Sequence, residues 1–466
     1  MDAYLLIDFG STYTKLTAVD IEKEEIIATS KDITTIEDDI MIGFNNAYAK
    51  LENLMVGKEV NFVRKLACSS AAGGLKMVAI GLIPDLTAEA AKRAALGAGA
   101  RVLKAYSFEL TNDELEEIKN SSVDIILLAG GTNGGNKECI IHNANMIVKH
   151  KLNIPVVVAG NKVANDEIKK IFDENNIFYS ITENVMPKLN VLNVDPAREE
   201  IRKIFMQKII DAKGLSNAED YVSGILMPTP AAVLKAAECL SKGTDDEEGI
   251  GDLVVVDIGG ATTDIHSLAD GEPTKGGVTM KGLEEPFAKR TVEGDLGMRY
   301  SAVSLLEAAG TRLVRKYLHD NKKEIDVSGL CHFRNNNIKM VPQTDEDIAF
   351  DEALGMVATN LAMKRHCGSV EVTYTPMGPL YTQTGKDLME VKYMIGTGGV
   401  LVHSRRPTTL LRAGFFDKED PISLKPIKSK CLIDKTYILS SMGLLSQEKP
   451  DMAVRIMKKY LVEIEE

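Results

Sequence analysis

Long apolar runs are missing from this chain. The longest, such as IILLA at 125–129, fall far short of the roughly 20 residues a membrane-crossing helix needs, so no membrane partner is expected. A local surplus of basic charge is missing too. The chain carries 67 acidic against 55 basic residues, a net charge of −12, and short pieces such as NKK at 321–323 are flanked by acids. A nucleic-acid partner is thereby excluded on electrostatic grounds. The six cysteines (Cys68, Cys139, Cys239, Cys331, Cys367, Cys431) form no C-x-x-C pair, which points to reduced thiols in the cytoplasm. Two isolated dipeptides, Cys331-His332 and His366-Cys367, are too sparse to read as zinc ligands. MDAYLLIDFG lacks a basic n-region and a small-residue cleavage site, so no signal peptide is expected. Nor is there a G-x-x-x-x-G-K-[ST] loop; TGKD at 384–387 has an aspartate where the hydroxyl belongs.

What remains is an ordinary globular composition, 44% hydrophobic and 26% charged over 466 residues, enough for roughly two to four domains. Between about 61 and 200 the texture is strand–helix–strand: VDIILLAGG, NKECIIHNANMIVKH, IPVVVAGN, ANDEIKKIFDENN, IFYSITENV. Short links between such pieces predict a parallel α/β unit, and LTAEAAKRAALGAGARV reads as an alanine-rich helix inside it. LLAGGTNGGN lacks the dinucleotide spacing and reads as a tight strand-to-helix turn, with Asn133, Asn136 and Asn161 as candidates for touching a ligand or partner. The DDEE run at 245–248 reads as a solvated linker. The tail KPDMAVRIMKKYLVEIEE is an amphipathic helix with Met452, Val454, Ile456, Met457, Leu461 and Ile464 as core candidates.

Two segments carry the chemistry. LLIDFGSTYTKLTAV and VVVDIGGATTDIHSL share an apolar triplet, an aspartate, an apolar residue, a glycine, a small residue and then hydroxyls. Both predict a β-hairpin, and the repetition predicts an internal duplication. Facing one another across a cleft, two such hairpins would clamp a triphosphate. Gly10, Ser11, Thr12, Gly259 and Gly260 would offer backbone N–H groups, because glycine allows close approach. Thr12, Thr14, Thr262 and Thr263 would offer hydroxyls, and Lys15 a positive charge. Asp8 and Asp257, at the strand ends, are suited to orient water around a magnesium ion, which keeps much of its hydration shell. Asp264, closing the second motif, is either a catalytic acid–base group or a turn acid.

These paired motifs resemble those of the actin, heat-shock chaperone and sugar-kinase superfamily. TPAAVLKAAECL is similar to its first connecting helix, VEGDLGMR to a segment leading into a nucleotide-side helix, IGTGGVL to its adenosine motif, and KPDMAVRIMKKYL to its second connecting helix. The resemblance implies an α/β fold of two ribonuclease-H-like domains around a nucleotide cleft, with an inserted α/β domain. Its parts would be 1–60 and 201–250 for domain I and the connecting helix, 61–200 for the insertion, 251–442 for domain II with a helical subdomain, and 443–466 for the C-terminal connecting helix. It implies ATP with magnesium, and adds Gly294, Gly396, Gly398 and Gly399 as nucleotide contacts. Where the chaperones carry a glutamate that positions the attacking water, this chain has Met227, which implies either slow hydrolysis or catalytic help from another acid, Asp8, Asp257 or Asp264. Over most of its length, and above all in LACSSAAGGLKMVAIGLIPDLTAEAAKRAALGAGARV and LLAGGTNGGNKECIIHNA, the chain resembles the MutL/GlmL family of glutamate mutase accessory proteins, which is unrelated to mismatch repair. That implies an adenosylcobalamin-dependent mutase as partner and, by analogy with diol dehydratase reactivases, an ATP-dependent chaperone that releases damaged cobalamin. The alternatives are a small-molecule kinase, a hydantoinase- or oxoprolinase-like enzyme, an activator of radical dehydratases, and an actin-like structural ATPase.

Overall fold

A computed structural model describes residues 1–10, 12–35, 39–70, 75–212, 225–318, 325–376 and 378–465, with side chains left undescribed at 206–212 and 225–226. Two compact units emerge: Met1–Val233 with Gly282–Glu284, and Leu234–Lys281 with Glu285–Glu466.

In the first unit, β1 (Asp2–Phe9), β2 (Tyr13–Asp20) and β3 (Glu25–Ile33) form an antiparallel meander. Every residue of β1 after the first is buried, as its apolar run requires. The chain then crosses through α1 (Ile40–Leu54), started by the Asp39 side chain accepting from the Met41 amide at 2.9 Å. Ile40, Phe44, Ala47 and Leu51 recur at helical spacing and pack with Leu5, Ile7, Phe9 and Leu16. The crossover delivers β4 (Asn61–Ser69) parallel to β1. This corrects the domain boundary drawn at 61: the strand belongs to the first sheet, and the inserted sheet begins at Lys76.

That insertion is a five-stranded sheet of β5 (Lys76–Gly81), β6 (Arg101–Ser107), β7 (Ile125–Leu128), β8 (Val156–Val158) and β9 (Tyr179–Ile181). All its pairings are parallel, in the order β6-β5-β7-β8-β9. Alternate residues feed two cores: Met77, Ala79, Ile125 and Leu127 on one face, Val78, Ile80, Ile126 and Leu128 on the other. Burial on both faces is why these strands read as unbroken apolar runs. Helices α2 (Glu89–Gly97), α3 (Asn112–Asn120), α4 (Glu138–Lys149) and α5 (Asn165–Glu174) cover the sheet. Arg101–Val102, read as the end of a helix, begin β6 instead. The chain returns through α6 (Asp195–Ala212) to β10 (Ile225–Pro228), parallel to β4, completing the order β10-β4-β1-β2-β3. The division between units falls inside α7 (Thr229–Lys242).

The second unit repeats this plan. β11 (Leu253–Ile258) and β12 (Thr263–Leu268) form a hairpin, and β14 (Ala288–Glu293) extends it antiparallel. β17 (Tyr393–Thr397) and β18 (Lys430–Ile433) add parallel strands beside β11, and short β19 (Val462–Glu463) ends the sheet. In order of appearance within each sheet, both units therefore run 3-2-1-4-5, the second with one extra strand. This doubled order is the ribonuclease-H-like plan, used twice, of an actin-like ATPase fold. Helices α8 (Ala302–Tyr317), α9 (Val327–Asn336) and α10 (Asp345–His366) pack over the second sheet, and β13 (Val278–Lys281), β15 (Ser369–Thr375) and β16 (Gly378–Thr384) form a separate three-stranded sheet. Helices α11 (Gly399–His403), α12 (Pro407–Arg412) and α13 (Leu439–Leu445) complete the unit with α14 (Pro450–Tyr460), where Met452, Val454, Ile456 and Met457 are buried and Leu461 and Ile464 only partly so. Among the described residues no helix is long and apolar enough to cross a membrane.

Candidate functional site

Both hairpins close with the same turn. The Gly10 amide donates to the Tyr13 carbonyl at 3.1 Å, and the Gly259 amide to the Thr262 carbonyl at 2.9 Å. Each aspartate stands one residue short of the turn's first strand end: Asp8 opposite Lys15, Asp257 opposite Asp264. A side chain at position 10 would put its Cβ 2.6 Å from the Tyr13 oxygen, so the first turn requires glycine for space.

The second loop is held by its carbonyls. Gly259 O accepts from the Met298 amide at 3.1 Å, and Gly260 O from Arg299 and Tyr300 at 2.8 and 2.9 Å. The Ser301 hydroxyl lies 2.8 Å from the carbonyl oxygens of both Ala261 and Gly294, which seats Gly294 beside the loop. Gly297 permits this packing, since a Cβ there would fall 2.3 Å from the Ala261 carbonyl carbon. With the carbonyls engaged, the amides of Gly260, Ala261 and Thr262 find no partner among the described residues. Successive amides of this kind form a concavity suited to an anion. In the first loop the Thr12 carbonyl accepts from the Thr34 amide at 2.9 Å, and Ser11 lies outside the described residues.

Asp8 is buried. Its Oδ1 accepts from the Thr229 hydroxyl at 2.7 Å and lies 3.6 Å from Cys68 Sγ, while Oδ2 lies 3.7 Å from Lys15 Nζ. Burial first, and then the Asp8 charge, push the Cys68 thiol well above its ordinary range, so it stays a protonated donor. Met227 is buried opposite Cys68 in the β10–β4 pairing. Thr229, two residues on, is the polar group that reaches Asp8. Sequence reasoning missed it because only the β10–β4 pairing brings position 229 beside position 8.

Several candidates are engaged inside their own unit. The Thr14 hydroxyl is buried 3.1 Å from that of Thr34, and buried Thr263 donates to the Leu296 carbonyl at 2.7 Å. These two are corrected from phosphate donors to internal staples: both begin the inward alternation of their outgoing strands. Thr262 donates to Asp264 Oδ2 at 3.0 Å. Asp264 is corrected as well. Its Oδ1 receives Arg290 Nε at 2.8 Å and Nη2 at 2.6 Å, so it is the buried partner of a guanidinium rather than a base. Asp257 is half-buried at the end of β11, with Thr397 as its neighbour on the other side.

Of the IGTGG glycines, Gly398 has a φ of +96° and its Cβ would sit 2.3 Å from the Ile258 carbonyl oxygen. It therefore packs this segment against the second hairpin. Gly396 is closed in by Ile433, Leu411 and Leu401, whereas Gly399 opens α11 in free space. Asn161, read as a possible ligand contact, is a buried staple: its Oδ1 accepts from Gly134 and Val163, and its Nδ2 donates to the carbonyls of Gly135 and Asn136. His366 is likewise internal, bonded at 2.8 Å to Thr291 and to Ser267. Among the described residues no group of three His, Cys, Asp or Glu side chains could hold a metal.

The model of the MutL protein family matches residues 4–461. Over 464 residues the chain is 70% identical to Protein MutL of Clostridium tetanomorphum, with all of both sequences covered. Among solved structures it is similar to the activator of the 2-hydroxyisocaproyl-CoA dehydratase from Clostridium difficile with bound ADPNP, at 9% identity, 100% of each chain and a TM-score of 0.29. It is also similar to a ligand-bound xylulose kinase from Lactobacillus acidophilus, at 10% identity, 100% of this chain, 93% of that one and a TM-score of 0.36. At those scores the likeness adds nothing to the fold already established by strand order. Matched by the family model over nearly its whole length, this chain belongs to the MutL protein family.

Proposed function

We propose that this protein binds Mg-ATP through its two matched hairpin loops, hydrolyses it slowly, and serves as an accessory chaperone of an adenosylcobalamin-dependent, glutamate mutase-like enzyme. The observation that carries the nucleotide reading is the pair of equivalent turns, each with an aspartate at its strand end. In the second, the loop carbonyls are tied back and the loop amides are left without partners among the described residues. Phosphate oxygens are the acceptors such amides suit. Lys15, with its side chain 31% exposed, adds positive charge at the first loop.

The donor set fits magnesium, which prefers hard oxygens and retains water. Asp8, its oxygens already facing Thr229 and Lys15, fits an outer role through water, and half-buried Asp257 at the end of β11 offers the same chemistry in its own unit. When bound, the ion supplies charge neutralisation at the phosphates. Thr229 fixes the orientation of the Asp8 carboxylate, and Cys68 excludes water from its inner side. Met227 offers no acid–base group, which favours slow turnover and hence a nucleotide-timed switch. ATP moves a partner only as far as it binds two states of this protein differently. Family membership supports a mutase as that partner, with release of damaged cobalamin as the outcome. Cytoplasmic operation agrees with the six unpaired cysteines.

The test has two arms. Calorimetry should show Mg-ATP affinity falling about 100-fold, or about 2.7 kcal/mol, in Asp8→Ala and in Asp257→Ala. A glutamate mutase inactivated by turnover should regain activity with this protein and ATP. Unchanged ATP affinity in both variants would sink the nucleotide site. Phosphorylation of a small metabolite without any mutase recovery would replace the chaperone by a kinase.

A further inference from the structure

The inserted sheet carries a crevice of about 620 Å³ at the carboxyl ends of β7, β8 and β9, the end at which open parallel sheets bind ligands. Its size lies within the roughly 300–1,000 Å³ of small-molecule sites. The rim is built rather than incidental. Buried Asn184 donates to the Gly131 carbonyl at 2.9 Å and to Asn133 Oδ1 at 3.1 Å, and accepts from the Met186 amide at 2.9 Å. Asn133 Oδ1 also takes the Lys162 amide at 3.2 Å. These bonds, with those of Asn161, cross-link the loops that follow all three strands. Burying two asparagines is costly unless every polar atom is engaged, and here each is, so the loops are held in one arrangement before any ligand arrives.

Into this fixed rim project groups whose side chains have no partner among the described residues: the Lys162 ammonium, the Asn165 amide and the Thr182 hydroxyl. Glu183 faces the same space, with Oε2 accepting from Asn193 at 2.8 Å. Among the described residues of the lining Lys162 is the one cation and Glu183 the one acid, while Ile181, Pro187 and Pro196 supply apolar wall. Both are exposed to water, so a ligand of single charge would pair with only one of the two. A ligand bearing both charges matches each, with amides and a hydroxyl to fix its orientation.

We infer that this crevice binds a small zwitterion of the α-amino-acid class, its carboxylate toward Lys162, Asn165 and Thr182 and its ammonium toward Glu183. The site is separate from the hairpin loops, so it stands whether or not those loops bind ATP. The test is calorimetry of the full chain against each standard L-amino acid in turn, with propionate and n-propylamine as single-charge controls. At least one amino acid should bind saturably at one per chain, and both controls at least about 10-fold more weakly. Lys162→Met, Glu183→Gln and Thr182→Val should each weaken that binding, the first two by about 10-fold, while Mg-ATP affinity stays at the wild-type value. The inference fails if no amino acid saturates the site by about 10 mM, if either control binds as well, or if all three variants bind like the wild type.

Discussion

The two hairpins are alike in backbone and opposite in electrostatics. At the position facing the aspartate of each motif, the first presents Lys15 and the second Asp264. The first therefore neutralises its aspartate within the hairpin, across a partly exposed gap of 3.7 Å. The second places two carboxylates across from one another and imports Arg290 from β14 to hold Asp264 at 2.6 Å in a buried pair. One backbone plan thus tolerates either solution, because the turn depends on a glycine and an amide-to-carbonyl bond rather than on the flanking charges. The charges decide something else: Asp257 is left beside an already satisfied carboxylate, while Asp8 is enclosed by Thr229, Cys68 and Lys15.

Removing the imported cation should have the largest effect on this contrast. Arg290→Ala strands a buried carboxylate and should destabilise the protein by roughly 3–5 kcal/mol, read from denaturant midpoints. A loss below about 1 kcal/mol would mean that Asp264 is solvated or otherwise paired.

Steric tolerance separates the turns next. Gly10→Ala brings Cβ to 2.6 Å from a backbone oxygen and should cost roughly 1–3 kcal/mol, whereas Gly259→Ala meets its oxygen at 3.1 Å and should cost less. Equal midpoints for the two variants would break the distinction.

The outgoing strands should differ in their response to acid. β12 carries buried His266, whose ring nitrogens have no partner among the described residues; burial, with Arg290 adding to it, lowers its pKa from 6.5 to about 3. The unfolded chain takes up that proton below about 6.5 and the folded one only near 3, so stability is lost as pH falls through this window. His266→Phe should lessen that loss, its advantage over wild type growing toward acid. At the equivalent position β2 carries buried Thr17, which has no group titrating in this window. A parallel pH dependence in variant and wild type would remove His266 as the cause.

The smallest effect belongs to Lys15→Met. Its ion pair is long and its side chain 31% exposed, so stability should change by less than about 1 kcal/mol, with any larger consequence confined to Mg-ATP affinity.

Much of this molecule was legible in one dimension. The two hairpins announced themselves by an apolar triplet, an aspartate and a glycine, and the inserted strands by runs that bury both faces. β6 did not, because RVLKAYS is half-exposed and follows an alanine-rich helix without a break in composition. The three-stranded sheet was equally hidden: SVEVTYT is mostly exposed and offers no buried alternation. β4 was assigned to the wrong sheet because nothing local says which neighbour a parallel strand will choose.

The paired turns, their aspartates and the family were readable along the chain, since they depend on neighbouring residues. The task of each polar group followed from three-dimensional packing alone. Thr229 reaches Asp8 across 221 positions, Arg290 reaches Asp264 across 26, and the asparagines at 161 and 184 join loops that follow three different strands. Hydrogen bonds and ion pairs act over about 3 Å of space, whatever the length of chain between the partners.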